Sequence, residues 1–499
     1  GYIMIIWLIV AVYIAIMAAI GINSYRKASS LTQFVVGGRS AGPWTSAFAY
    51  GTAYFSAVLF IGYAGRSGYD YGLWAMLVGV GNAFLGGYLA WKILGSRTRE
   101  VTKRLKIKTM PQFFEQRYDS RLLKTIAAII IFIFMTPYSA SVYSGLSYLC
   151  EIVLNVDYHI AMLVIAIVAA AYVVLGGYLA SLSADLIQGV VMIAGVIAML
   201  FTVSNAPEVG GFSNGISSVW AIMQDKGIAD FQSIPLSGLI SLILLTSLGT
   251  WGLPQMVHKF YGVADERGIR AGTVISTFFC AIISIGAYYI GSLTRLFFTD
   301  VPKLSNGTKS YDIMIPQILN GVLPEFLLGV VLVLVLAASV STLSSITLTS
   351  CSTFSMDLIA ASMKKDMDKK QTLLLTRILC LIFIIGSYFI ASFKSPILTL
   401  MSFSWGSVAG SFLAPYLLGL YFKQINKAGA FAGMLGGLST SVILAVISKF
   451  NSGKAPLFGI TAMLVSFVLC IAVSLIASRL KSANSAVNEK FFDKEYAVK

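Results

Sequence analysis

Apolar runs of about twenty residues recur along the whole chain, separated by short polar stretches. They fall near 2–23, 45–64, 72–94, 122–150, 158–177, 181–204, 235–257, 270–298, 321–358, 371–393, 395–422, 427–449 and 456–478. At about 1.5 Å per residue, a helix of that length crosses the hydrocarbon core of a bilayer. The pattern predicts an all-α membrane protein with about thirteen transmembrane helices. An odd count places the two ends of the chain on opposite sides.

The charges between the runs are uneven. From Lys92 to Lys124 there are ten Lys/Arg and three Asp/Glu. Lys364, Lys365, Lys369, Lys370 and Arg377 follow the ninth run, and Lys423, Lys427, Arg479 and Lys481 lie at later junctions. The alternate loops carry Glu151, Asp157, Glu208, Asp225 and Asp230 with few basic residues. Basic loops mark the cytoplasmic face. The N-terminus is therefore expected outside, the C-terminus inside, and the chain in the cell membrane. The run at 2–23 reads as a span and not as a signal peptide, because Arg26 and Lys27 follow it and nothing basic precedes it. Residues 212–224 are expected to form a short interfacial helix.

Composition narrows the class further. The 499 residues are 57% hydrophobic and 11% charged, against about 25% charged in soluble domains. The net charge of +15 sits in loops between spans, so no nucleic-acid partner is expected. Cys150 lies near a span end, and Cys280, Cys351, Cys380 and Cys470 lie within apolar runs, with no CxxC spacing. A disulfide framework or zinc site is not expected. His159 and His258 read as loop residues on opposite faces. No Ser/His/Asp grouping emerges, so an enzyme is not expected. The glycine pairs at 86–87 and 176–177 and the "GMLGG" at 433–437 read as helix-packing positions, since small residues let membrane helices approach closely.

Candidate chemistry begins with "LAASVSTLSS" at 336–345, which puts Ser341, Thr342, Ser344 and Ser345 in a deeply apolar segment. On a helix Ala338, Ser341, Thr342 and Ser345 share one stripe, with Ser344 on its flank. Each hydroxyl has the option of bonding a carbonyl one turn back. Clustered hydroxyls and carbonyls also replace the hydration shell of a hard cation such as Na⁺. Asp185 is a carboxylate within an apolar span, which is costly and points to function. No Lys or Arg lies near it in sequence, so a bound cation is expected as its countercharge. Two spans carry breakers: Gly51 and Thr52 in "AYGTAYFSA", and Gly252 and Pro254 in "TWGLPQMVHKF". Transporters break helices at mid-membrane to expose backbone groups to ions and solutes.

Four segments occur in order: "FVVGGRSAGPW" (34–44), "GGYLASLSADLIQG" (176–189), "GLPQMVHKF" (252–260) and "LAASVSTLSS" (336–345). Together they resemble the sodium:solute symporter family over roughly residues 5–480. The resemblance implies a 5+5 inverted-repeat core. One extra helix and a cytoplasmic loop fall at 1–44, the first repeat at 45–204 and an extracellular loop at 205–234. The second repeat falls at 235–422, two further helices at 423–480 and a cytoplasmic tail at 481–499.

The resemblance implies a sodium site formed by the carbonyls of Thr52, Phe55 and Ala338 with the hydroxyls of Ser341 and Thr342. A second site, present in some branches, would use Asp185, Ser341, Ser344 and Ser345. Solute-binding candidates are Tyr54, Ser56, Tyr138, Ser141, Thr246, Thr250, Trp251 and Trp405. The proline branch typically carries a carboxylate at the place of Tyr54 and aromatics at those of Thr246 and Thr250. "GLPQ" and "SRLLK" look closer to the pantothenate branch. The expected function is sodium-coupled import of a small organic solute, such as an amino acid or a carboxylate. The expected partners are one or two Na⁺, the solute and the lipid bilayer, with no organic cofactor and a monomeric state. A proton-coupled transporter of the same architecture and a transporter-like sensor are the alternatives. The hydroxyl cluster favours sodium, because protons need no oxygen cage.

Overall fold

The computed structural model describes residues 2–27, 34–35, 39–359, 368–480 and 491–492. Gly37, Gly38, Lys364 and Lys365 lie outside the described residues, as does the tail from Lys481 apart from Phe491 and Phe492. The described chain is helical throughout. Its β pairing is limited to isolated bridges, Ala41 with Val263 and Lys303 with Lys309. Among the described residues ten helices are long and apolar enough to cross a membrane, or up to eleven if one bent pair counts as a span.

The helices that build the site are, in chain order, α1 (Tyr2–Lys27), α2 (Pro43–Tyr54), α3 (Ala64–Tyr71), α4 (Thr136–Leu154) and α5 (Tyr158–Ser204). They continue with α6 (Leu236–Leu248), α7 (Pro254–Tyr261), α8 (Gly286–Ser292), α9 (Glu325–Thr353) and α10 (Ile397–Tyr421). The expected segment at 212–224 is a helix, Phe212–Asp225.

α9 is the central post. In its most apolar window 83% of residues are buried, and every residue from Leu336 to Ser345 is enclosed. It packs along α5, α1, α2 and α4. A helix apolar all round belongs in the middle of a bundle, and its hydroxyls therefore meet protein and not lipid. α5 runs for 47 residues across a break at Gly177, where φ is +61°. A Cβ there would also fall 2.3 Å from the Phe34 ring, so glycine is needed for both conformation and space.

Two helices are interrupted. α2 ends at Tyr54, Phe55 is extended (φ −108°, ψ 128°), and helix resumes at Val58. Hydroxyls take up the freed donors: Ala57 N–H donates to Ser339 Oγ (3.2 Å) and Val58 N–H to Ser56 Oγ (3.1 Å). The sequence placed this interruption at Gly51 and Thr52. Both remain helical, and the break comes one turn later, because Gly51 serves close packing beneath the Phe279 ring. The second interruption is at Leu253 (φ −89°, ψ 120°), between α6 with its 3₁₀ extension and α7. The two pieces meet at 48°. Pro254, at the start of α7, has no N–H to continue the ladder. His258, expected in a loop, lies inside α7, because the span runs past residue 257 to Tyr261. It is buried, with Nε2 2.6 Å from the carbonyl of Val35.

Candidate functional site

Three helices bring oxygen to one point. α2 supplies Thr52, α9 supplies Ser341 and Thr342, and α5 supplies Asp185, all fully buried. Ser341 Oγ donates to Thr52 Oγ1 at 2.9 Å and lies 3.3 Å from Asp185 Oδ1. Thr52 Oγ1 lies 3.3 Å from the same carboxylate oxygen and 2.7 Å from the Phe48 carbonyl. Thr342 Oγ1 reaches the carbonyls of Thr52 (3.3 Å) and Ala53 (3.1 Å). Each hydroxyl has one proton. Three protons thus face six acceptors: the carbonyls of Phe48, Ala49, Thr52 and Ala53, Thr52 Oγ1 and Asp185 Oδ1. Oxygen in excess of donors, in a buried position, suits a hard cation.

Of the residues expected around a first ion, Thr52, Ser341 and Thr342 meet directly. Phe55 stands at the break in the α2 span, and Ala338 is buried one turn before Thr342. Of those expected around a second ion, Ser341 hydrogen-bonds to Asp185, whereas the hydroxyls of Ser344 and Ser345 bond elsewhere. Ser344 Oγ donates to Val340 O (2.6 Å) and Ser345 Oγ to Ser341 O (3.1 Å), the usual bond one turn back. Asp185 Oδ2 has no partner among the described residues.

No Lys or Arg lies near Asp185 in sequence, but the fold brings one to the same region. Lys259 on α7 is 2% exposed, and its ammonium stands 4.8 Å from the centre of the Tyr178 ring, two turns before Asp185 on α5. The chain separates Lys259 from Asp185 by 74 positions, and the bend at Leu253 turns α7 toward α5. The signal in the sequence was a lysine two residues beyond the assumed end of an apolar span that carries a helix-breaking proline.

Just past the two breaks lies a small cavity of about 20 Å³, room for roughly one water. Tyr54, Ser56, Tyr138, Thr246 and Trp405 line it, as expected. Ser141, Thr250 and Trp251 do not. Ser141 bonds the Tyr138 carbonyl, Thr250 the Ser247 carbonyl, and Trp251 Nε1 the Leu85 carbonyl. The lining also includes Tyr63, Asn82, Tyr288 and Met401, which sequence reasoning missed. Asn82 is the organising group, its Oδ1 accepting from Thr246 Oγ1 (2.9 Å) and Ser247 Oγ (3.0 Å). The Tyr54 hydroxyl bonds the Thr246 carbonyl and so ties the two broken spans together. Trp405 stands edge-on to Tyr138, ring centroids 5.5 Å apart. No charged side chain lines the cavity.

Comparisons with known proteins bear on the family and the fold. A sodium/proline symporter of Staphylococcus aureus (strain JH9) is 28% identical, covering 98% of this chain and 95% of the relative. A Na⁺-coupled sialic acid symporter, solved substrate-bound and outward-open, superposes with a TM-score of 0.75 at 15% identity, covering 95% and 98% of the two chains. A nucleobase-cation-symport-1 family transporter in a closed conformation gives 0.52 at 13% identity, covering 93% and 98%. These structural likenesses speak to the fold. The pattern of the sodium:solute symporter family matches residues 34–437, and the chain belongs to that family: it is a multi-pass membrane protein that couples the passage of a solute to sodium.

Proposed function

We propose that the protein imports a small amphipathic solute, with one sodium held where α2 meets α9 and a second beside Asp185. The observation that carries this reading is the donor deficit around Thr52, Ser341 and Thr342. Sodium supplies the positive charge that those oxygens lack, and Asp185 adds a formal charge to the same cluster. Solute recognition falls to Asn82, Tyr54, Tyr138, Thr246 and Trp405, a set of hydroxyls, one amide and an indole. Such a lining suits a solute with an apolar body and a few hydrogen-bonding handles. An amino acid such as proline and a carboxylate such as pantothenate both fit that description. A carboxylate would rest on hydroxyls, the helix ends at the breaks, or the sodium itself.

The transport cycle we infer is alternating access. The cavity is far smaller than the roughly 300 Å³ of a ligand pocket, so the helices must part to admit a solute. The two breaks at 55–57 and Leu253 fall in the first helix of each proposed repeat, 45–204 and 235–422. Interruptions at matched positions in two halves favour the 5+5 inverted repeat. Splitting the two 47-residue helical runs at Gly72 and Gly177, whose φ values are +60° and +61°, favours thirteen spans. The basic loops favour a cytoplasmic C-terminus in the cell membrane. One charge crossing 100 mV is worth roughly 2.3 kcal/mol, somewhat under a hundredfold of accumulation, and a second sodium squares that factor. A solute screen in proteoliposomes, with sodium or choline outside at fixed pH, tests the reading. Uptake of at least one solute in sodium and not in choline is the expected result. Equal uptake in both, driven by a pH gradient, would point to protons instead.

A further inference from the structure

Lys259 and Asp185 are opposite charges, both buried, and each is short of partners. Lys259 Nζ has no hydrogen-bond acceptor among the described residues, and Asp185 Oδ2 has no donor. An isolated ion in this setting is costly. The ammonium stands 4.8 Å from the centre of the Tyr178 ring, which lies two turns before Asp185 on α5. No hydrogen bond joins the two groups, but Ser345, one turn along α9 from the Ser341 that faces Asp185, shares a cavity wall with Lys259. Lys259 also borders a cavity of about 10 Å³, with Gln255, Ser345 and Ser352 in its wall, about enough for one water. Both polar atoms of Gln255 and the hydroxyl of Ser352 are also unpartnered. A flexible four-carbon stem beside a polar cavity gives the ammonium room to move.

Resting on the proposal of a second sodium beside Asp185, we propose that Lys259 is that ion's tethered rival. With sodium absent, the ammonium moves toward the carboxylate and neutralises it. When sodium arrives, like charges repel, and the ammonium withdraws into the cavity beside Gln255 and Ser352. The empty carrier then reorients with no bare carboxylate in its core. The loaded carrier holds an excess positive charge, which responds to the membrane potential. Lys259 touches neither solute nor the first sodium; it sets the occupancy of the second.

The test is radiosodium binding to the purified full-length protein, without solute. Lys259→Gln removes the rival and should tighten binding of the second sodium by fivefold or more. Lys259→Arg keeps a cation and should bind nearly as the wild type does. In an Asp185→Asn background, Lys259→Gln should change nothing. Wild-type affinity in Lys259→Gln overturns the proposal. If Asp185→Asn alone binds as many sodium ions as the wild type, the second-sodium reading itself falls, whatever Lys259 does. A measurement on the wild type guards against a variant that does not fold. Acetylation of Lys259 by a membrane-permeant anhydride, read by mass spectrometry, should rise several-fold in sodium relative to choline. No change, or protection by sodium, contradicts the proposal.

Discussion

Ser341 donates a hydrogen bond to Thr52 at 2.9 Å across 289 residues of chain, joining the helix before the first break to the central post of the bundle. The same two hydroxyls both face Asp185 Oδ1 at 3.3 Å. One contact thus links the interrupted helix, the buried hydroxyl stripe and the embedded carboxylate. Sodium at this junction would hold α2 to α9, and its departure would release them. Coupling requires such an element with two arrangements, one of which the ion favours.

Asn82 should control solute affinity and leave sodium alone. Asn82→Ala removes the acceptor that orients Thr246 and Ser247. Losing buried hydrogen bonds of this kind costs about 1–3 kcal/mol, or roughly five- to hundredfold in the solute concentration for half-maximal uptake. Saturation curves for the transported solute should show this, with sodium activation within about twofold of wild type. A shift in sodium activation of the same size would place Asn82 at the ion.

The predicted orientation is open to labelling. Thr102 lies in the basic segment but is completely buried, whereas Lys103 beside it is exposed. Cysteines at Lys103 and Asp225, in a background lacking the five native cysteines, should react with an impermeant reagent from opposite sides. Labelling from one side contradicts the orientation and the odd span count.

Asp312 gives the closed state a pH dependence. It lies in the segment before α9, and Oδ2 accepts the backbone N–H of Ile397, the first residue of α10, at 3.3 Å. Burial pushes its carboxyl up to about 6, against the lowering effects of that N–H and of Arg66. If water reaches Asp312 when the contact opens, its value returns toward about 3.9. The closed contact then binds more protons between those values. It is most stable below about pH 4 and weakens as pH rises through about 6. Going from pH 7 to pH 5 should favour closure by up to about tenfold. Hydrogen exchange at residues 397–400, corrected for intrinsic rates, should slow accordingly in the wild type and not in Asp312→Asn. Equal pH responses in the two proteins would sink this idea.

Gly68 and Gly291 let α3 and α8 touch backbone to backbone. A Cβ on Gly68 would lie 1.8 Å from the Gly291 carbonyl oxygen, which has no rotamer to escape into. Gly68→Ala should destabilise by about 1–3 kcal/mol and lower the melting temperature in detergent. Gly42→Ala, with nothing near its added carbon, is the matched control and should melt as the wild type does.

The hydroxyl stripe of α9 was legible because four oxygens crowd one apolar run, though Ser344 and Ser345 make only the ordinary bond one turn back. Asp185 was legible for the same reason. The breaks were legible in kind but not in position. Gly51 marks a tight packing contact, while the extended backbone falls at Phe55, which carries no breaker signature. Lys259 was not singled out, because residue spacing does not reveal a bend that returns α7 to the core. Tyr63, Tyr288 and Met401 look like any core residue until the fold places them around one cavity. Asn82 was a lone amide in an apolar run, and its partners lie 164 and 165 positions away.

The central claim is that sodium is held where α2 meets α9, and sodium activation of solute uptake tests it most directly. Ser341→Ala and Thr342→Ala each remove one oxygen from the junction and leave the helix intact. Losing one such contact is worth about 1–3 kcal/mol, so the sodium concentration for half-maximal uptake should rise roughly five- to hundredfold at near-normal surface expression. Wild-type sodium dependence in both variants would contradict the assignment.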